Sequence, residues 1–123
     1  MGMFSWLRGS KRTSDNAEAG RLSRADRKAV NVELAHWAST RRGVEVFVEP
    51  KTAVTGTSVV LVAHDGEFTR RRIGSPKAAQ EFARDNALPI YDATQVGYPQ
   101  RMRDFSRKQT ILLQRMEQDF LDD

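Results

Sequence analysis

The chain has 123 residues, of which 39% are hydrophobic, with 20 lysine and arginine residues against 16 aspartate and glutamate residues. This length fits one domain, and no hydrophobic stretch approaches the roughly 18 residues that cross a bilayer. The absence of cysteine excludes disulfides, thiolate nucleophiles and cysteine-ligated zinc. We therefore expect a cytoplasmic protein, and its formal net charge of +4 favours anionic partners.

The first residues of the chain are polar, basic and without hydrophobic periodicity, so residues 1–22 are expected to form a disordered basic tail. Near its start, Phe4, Trp6 and Leu7 precede basic residues, a pattern that allows weak peripheral membrane contact. The alternative for this segment is a simple tail or a peptide that binds a partner protein. No transmembrane segment is expected.

Residues 23–108 are expected to form an α+β domain. Ser23 is a suitable N-cap for a first helix, whose apolar residues recur at helical spacing, and Gly43 is expected to stop that helix. Residues 44–48 follow the pattern Val-Glu-Val-Phe-Val, which predicts a half-buried strand that ends at Pro50.

A hairpin is the clearest element of the sequence. Residues 58–64 are almost wholly apolar, and residues 67–73 carry three consecutive arginines. Asp65 and Gly66 between them predict a two-residue turn, which pairs Val62 with Thr69. The apolar strand is expected at the centre of the sheet and the arginine strand nearer an edge.

The elements after the hairpin are predicted mainly from residues that are favoured at the first positions of helices. Ser75 and Pro76 begin a second helix, residues 88–92 form a short returning strand, and a long helix follows Pro99. The predicted fold is a three- to four-stranded, mostly antiparallel twisted sheet with an N-terminal helix, one helix after the third strand and a long C-terminal helix. This helix–three strands–helix order resembles that of double-stranded RNA-binding domains, although the glycine- and lysine-rich helix start of those domains is missing.

Two basic clusters are candidate sites for an anion or nucleic acid. The first joins the arginine strand to the helix start that follows it, where unpaired N–H groups favour anions. The second is a glycine- and proline-marked turn that is expected to aim two arginines outward, near aromatic residues. The candidate residues are Arg70, Arg72, Ser75, Lys77, Arg101 and Arg103. The alternatives are that these arginines solvate an edge strand and that the aromatic residues belong to the core.

The end of the C-terminal helix, residues 109–123, is a candidate surface for a partner. Leu112, Met116 and Phe120 lie on it at helical spacing, together with further apolar residues. This segment is expected either to fold back onto the core or to pair with another chain. Its segregated charges favour an antiparallel homodimer as the form of any pairing.

Catalytic chemistry finds little support in the sequence. The two histidines, His36 and His64, lie on separate elements, and the glycines are too scattered to form a phosphate-binding fingerprint. No catalytic residue, metal ligand or cofactor is assigned.

Three blocks resemble a family of small actinobacterial proteins of uncharacterised function, over roughly residues 25–107. They are residues 42–50 (RGVEVFVEP), residues 64–72 (HDGEFTRRR), and residues 89–92 (PIYD) with 96–103 (VGYPQRMR). Some proteins of that kind carry an oxidoreductase label, so the resemblance implies an oxidoreductase as one alternative. It brings no catalytic residues to transfer.

These observations lead to three hypotheses of function. The first is a non-enzymatic protein that binds an anionic partner (RNA, DNA or a ribonucleoprotein) through arginine-rich surfaces. The second is a protein–protein adaptor or homodimer that uses the C-terminal helix. The third is a small oxidoreductase, which rests only on the label of similar proteins.

Overall fold

A computed structural model describes residues 22–52 and 56–122 of the chain, so residues 1–21 of the predicted basic tail, with Phe4, Trp6 and Leu7, lie outside the described residues. Leu22, the last residue of that predicted tail, packs against the core. In this part of the chain, one helix precedes three consecutive strands, and a helix, a short strand and two more helices follow. They are α1 (Arg24–Ser39), β1 (Glu45–Thr52), β2 (Gly56–Val62), β3 (Phe68–Gly74), α2 (Pro76–Asp85), β4 (Ile90–Asp92), α3 (Ala93–Val96) and α4 (Gln100–Asp122). The predicted α+β fold, with its three principal helices, is confirmed, and the one-turn helix α3 is an addition to it.

The four strands form one sheet in the order β3-β2-β1-β4. β1, β2 and β3 are antiparallel neighbours, whereas β4 pairs with β1 in parallel. Every residue of β2 is buried, because a central strand with an element on each face must be apolar on both faces. The expected places of the apolar strand at the centre and of the arginine strand at an edge are confirmed.

Each face of the sheet has its own hydrophobic cluster, since successive side chains of a strand point to opposite faces. On one face, α1 and α2 pack through Leu34 and Phe82 against alternate residues of β1 and β2. On the other face, Phe47 stacks on Tyr91, with ring centroids 5.4 Å apart, and the start of α4 covers the cluster.

Both predicted N-caps are confirmed. The Ser23 hydroxyl accepts a hydrogen bond from the Asp26 backbone N–H at 3.0 Å, and the Ser75 hydroxyl accepts one from the Ala78 N–H at 3.1 Å. α1 ends at Ser39, before the predicted stop at Gly43, which instead turns the chain into β1 with φ +60°.

The hairpin loop differs from the prediction of a two-residue turn. Val62 pairs with Phe68, so three residues, 64–66, form the tip beyond the pair that joins Ala63 to Glu67. The Gly66 N–H donates to the Ala63 carbonyl oxygen, and the Asp65 carboxylate accepts from the Glu67 N–H. Only Gly66 in this loop has a positive φ, whereas the predicted turn requires two such residues.

The predicted end of the first strand at Pro50 is also wrong. β1 continues through Pro50 to Thr52, and its register against β2 shifts between Glu49 and Thr52. Proline has no N–H to donate, and an irregularity in the ladder is one of the places where a strand accommodates it.

Gly66 is a point of very close approach between the hairpin loop and α4. Its φ is +95°, and a Cβ built on it would lie 2.0 Å from the Arg101 carbonyl oxygen. Gly97 also has a positive φ, +72°, but a Cβ added there would meet no atom within 4 Å. A substitution at Gly97 therefore meets backbone strain alone, whereas a substitution at Gly66 meets backbone strain together with lack of space.

We expect Gly97→Ala to lower the free energy of unfolding by about 1–3 kcal/mol through its backbone conformation alone. Gly66→Ala should cost about 1–3 kcal/mol more, because α4 must move to admit the methyl group. Urea denaturation of both variants measures the difference, and equal losses would contradict the close approach.

Candidate functional site

The arginines of β3 alternate between the two faces of the sheet. Arg71 lies on the face covered by α1 and pairs with Glu33 at 3.2 Å, whereas Arg70 and Arg72 project from the opposite face. Arg70 makes two hydrogen bonds to the Glu49 carboxylate, of 3.0 and 2.9 Å. The charge of Arg70 is thus already matched by a carboxylate within the domain.

Glu49 also accepts a hydrogen bond from the Tyr98 hydroxyl, which joins the start of α4 to β1 and β3. Burial and, next, this bond to the carboxylate raise the pKa of Tyr98 to about 12. The bidentate bond to Glu49 raises the pKa of Arg70 above its ordinary value. The Glu49 carboxylate accepts three hydrogen bonds, and the Tyr98 phenol is only weakly acidic. Because neither group exchanges a proton readily near neutral pH, this cluster is suited to a structural role.

The structure divides the second predicted basic cluster: Arg101 turns inward, which corrects the expectation that the turn aims both arginines outward, whereas Arg103 is exposed as expected. The Arg101 guanidinium donates to the Ala63 carbonyl oxygen at 2.9 Å and pairs with Glu45. Arg103 donates to the Tyr98 carbonyl oxygen at 3.2 Å and to the Gln100 side chain at 3.1 Å. These two arginines hold the start of α4 in place.

The remaining candidates for anion binding lie at the start of α2 and at the end of β3. The Ser75 hydroxyl is occupied as the N-cap, whereas Lys77 in the first turn is exposed. Arg72 is exposed too, and no carboxylate in the described part of the chain pairs with it. The structure therefore separates Arg70 and Arg101, which pair with carboxylates, from Arg72, Lys77 and Arg103, which pair with none in the described residues.

Two shallow grooves flank the first half of α1 and add basic residues that sequence reasoning did not select as a site. One, of about 340 Å³, lies between α1 and β3 and is bordered by residues 70–72. The other, of about 280 Å³, is lined by Arg24, Arg27 and Lys28 of α1 together with residues of β3 and α2. The signal was present in the sequence, because spacings of three and four residues place these three basic side chains on one side of a helix.

The predicted partner surface at the end of α4 is fully exposed. Every residue from 106 to 122 is exposed, including Leu112, Met116 and Phe120 with exposed fractions of 51%, 59% and 82%. The expectation that this segment folds back onto the core is wrong. α4 crosses the sheet from Tyr98, beside Glu49, to Arg101, beside Glu45, and then continues past the hairpin loop.

Residues 22–52 and 56–122 contain neither a cluster of metal ligands nor a membrane-spanning helix. No group of three or more histidine, aspartate or glutamate side chains in these ranges is arranged to hold a metal ion. None of the helices in these ranges is both long and apolar enough to cross a membrane.

Comparisons with known proteins found no matching family model, no matching curated protein and no matching solved structure.

The Tyr98 phenol generates a prediction for alkaline pH. In the unfolded chain it loses its proton near pH 10, whereas in the folded protein it does so near pH 12. The folded state thus binds the proton more tightly, so this contribution to stability is complete below about pH 10 and is lost as the pH rises to about 12.

We expect Tyr98→Phe to lose less stability than the wild type over this pH interval, because the variant lacks the shifted group. Urea denaturation across the interval, with phenolate absorbance recorded in parallel, measures the effect. Tyr91 is present in both proteins and serves as the internal reference. The same pH dependence in both proteins would contradict the assignment.

Proposed function

We propose that this protein is a non-enzymatic binding protein that contacts the phosphate backbone of RNA or DNA. The contact surface, called the α1 basic surface below, comprises exposed side chains of α1 and of the first turn of α2, two helices on the same face of the sheet. Its members are Arg24, Arg27, Lys28 and Lys77, whereas Arg72 projects from the opposite face.

The observation that carries this proposal is the contrast between paired and unpaired cations. Arg70, Arg71 and Arg101 each bind a carboxylate of the domain. Among the described residues, no salt bridge involves a member of the α1 basic surface. Such cations remain available to replace the counterions of a nucleic acid, which is the main source of sequence-independent affinity.

The grooves beside α1 support the same surface. Arg24, Arg27 and Lys28 line one groove with Glu81 as its carboxylate, and Asp26 is the carboxylate of the other. Basic side chains therefore outnumber the acidic one in the first groove, whereas Arg70 and Arg71 at the border of the second are already paired with carboxylates. Guanidinium groups bind phosphate oxygens in a planar, two-bond geometry, which makes arginine well suited to this role.

The fold order gives weaker support. The helix–three strands–helix order that resembles double-stranded RNA-binding domains is present, with α1 and α2 on the same face of the sheet. A fold hosts many functions, so this order adds to the charge argument without replacing it.

We expect Arg27→Glu with Lys28→Glu to weaken binding to duplex RNA or duplex DNA by about tenfold or more and to lower the salt slope by about 2. Both substitutions lie near the start of α1, where acidic residues are favourable to the helix, so the fold should be kept. Fluorescence anisotropy titrations at several salt concentrations measure both quantities.

The matched control is Arg42→Glu with Arg84→Glu, which removes the same charge from exposed positions away from the start of α1. It should change affinity far less. Equal losses in the two variants, or no binding by the wild type, would contradict the proposal. Arg70→Glu is unsuitable as a test, since it would place a carboxylate against Glu49.

The exposed end of α4 favours a second candidate function, in which the protein associates with another polypeptide. Six large hydrophobic side chains on one short stretch of helix are more than water-exposed surface ordinarily carries. The charges along this stretch indicate which polypeptide fits.

A further inference from the structure

The distal half of α4, defined as residues 106–122, has hydrophobic side chains with no contact to cover them in the described domain. Their exposed fractions run from 45% to 82%. They are Ile111, Leu112, Leu113, Met116, Phe120 and Leu121. A contiguous apolar stretch of this kind marks an interaction surface.

Part of this stretch continues the helix face that already packs on the domain. Met102 packs against the cluster around Phe47, and the Phe105 Cβ lies beside Gly66. Leu112 and Met116 lie farther along the same side of the helix, because successive positions on this side are three or four residues apart. Gln109 is the polar residue on this side between Phe105 and Leu112. A narrow seam of this form is typical of a helix paired with one other helix.

Charge changes sign along the same segment. Residues 106–115 carry three basic side chains, Arg107, Lys108 and Arg115, and no acidic one. Residues 116–123 carry four acidic side chains, Glu117, Asp119, Asp122 and Asp123, and no basic one. Two parallel copies would bring like charges together, whereas two antiparallel copies bring opposite charges together.

The isolated segment is also poorly suited to remain helical in water. Glu117, Asp119 and Asp122 near the C-terminal end of α4 oppose the helix dipole, and the last turn of α4 has no basic residue to offset them. A projecting stretch of this length is marginal as a helix unless packing supports it. A partner with basic side chains opposite the acidic end would remove both difficulties.

We propose that the distal half of α4 pairs with the same segment of a second copy of this chain in an antiparallel arrangement. The interface is two-fold symmetric, so one surface complements itself. Full overlap of residues 106–122 sets Lys108 opposite the acidic end that holds the partner's Asp119 and the partner's Asp122. The seam through Leu112 and Met116 is buried between the two helices.

Sedimentation equilibrium of the full chain over the micromolar range tests the pairing. The wild type should be dimeric at high concentration, and Leu112→Asp with Met116→Asp should be monomeric, since burying unpaired carboxylates is costly. Both side chains are exposed in the single chain, so the variant should still fold and show a cooperative thermal transition. A monomeric wild type throughout the range, or an unfolded variant, would overturn the proposal.

Ile111→Asp is the matched control. Ile111 is exposed like Leu112. Its side chain is rotated about 100° around the helix from that of Leu112, in the direction that leads away from Met116. It should leave the dimer intact. Dissociation by Ile111→Asp as complete as that caused by the seam variant would overturn the assignment of the seam.

The orientation has a separate test, because the chain has no cysteine of its own. Full antiparallel overlap places Gln109 beside the partner's Asp119. An equimolar mixture of Gln109→Cys and Asp119→Cys chains should therefore form mainly the mixed disulfide under mild oxidation. Predominance of the disulfide between two Gln109→Cys chains would indicate parallel helices and overturn the proposal, as would a mixture that forms no disulfide.

Discussion

The direction of α4 depends on one close approach, where the Arg101 carbonyl oxygen occupies the space that a side chain at Gly66 would need. Arg101 strengthens this contact, because its guanidinium binds the Ala63 carbonyl oxygen at the end of β2 and also Glu45. Tyr98, bound to Glu49, fixes the other end of the crossing. With both ends fixed on the sheet, the helix must leave the domain past the hairpin loop, and its distal half cannot turn back to the core.

The same contacts determine what the arginines are free to do. An arginine-rich sequence invites a nucleic-acid interpretation of every cluster, yet Arg70 and Arg101 hold the sheet and α4 together through carboxylates of β1. Arg41 is similarly occupied, by Glu67 and by the Trp37 ring. Among the cations without a carboxylate partner in the described residues are those beside the start of α1, and the proposed nucleic-acid contact rests on them. A dimer through α4 would present two such surfaces and so increase affinity without any new contact.

Much of the fold could be predicted from local patterns. The caps at Ser23 and Ser75 and the central place of β2 follow from residue type and periodicity, which act over a few neighbours. The errors had two causes, contacts between distant segments and hydrogen bonding within a loop. No local pattern links Arg101 to Glu45, 56 residues away, and a third loop residue in the hairpin depends on how Asp65 and Gly66 bond within it. Arg24, Arg27 and Lys28 were missed for a different reason. Their spacing places them on one side of α1, but basic residues are common throughout this sequence, so the cluster did not stand out.

The central claim is that α4 is anchored at its start and depends on a second copy beyond residue 105. Amide hydrogen exchange along α4, recorded at low and at high protein concentration, tests it most directly. The account predicts slow exchange near Met102 and Phe105 at both concentrations, and slow exchange from residue 109 onward only at high concentration. Protection of the distal half that is equally strong at both concentrations would show that it packs on its own domain and would contradict the account.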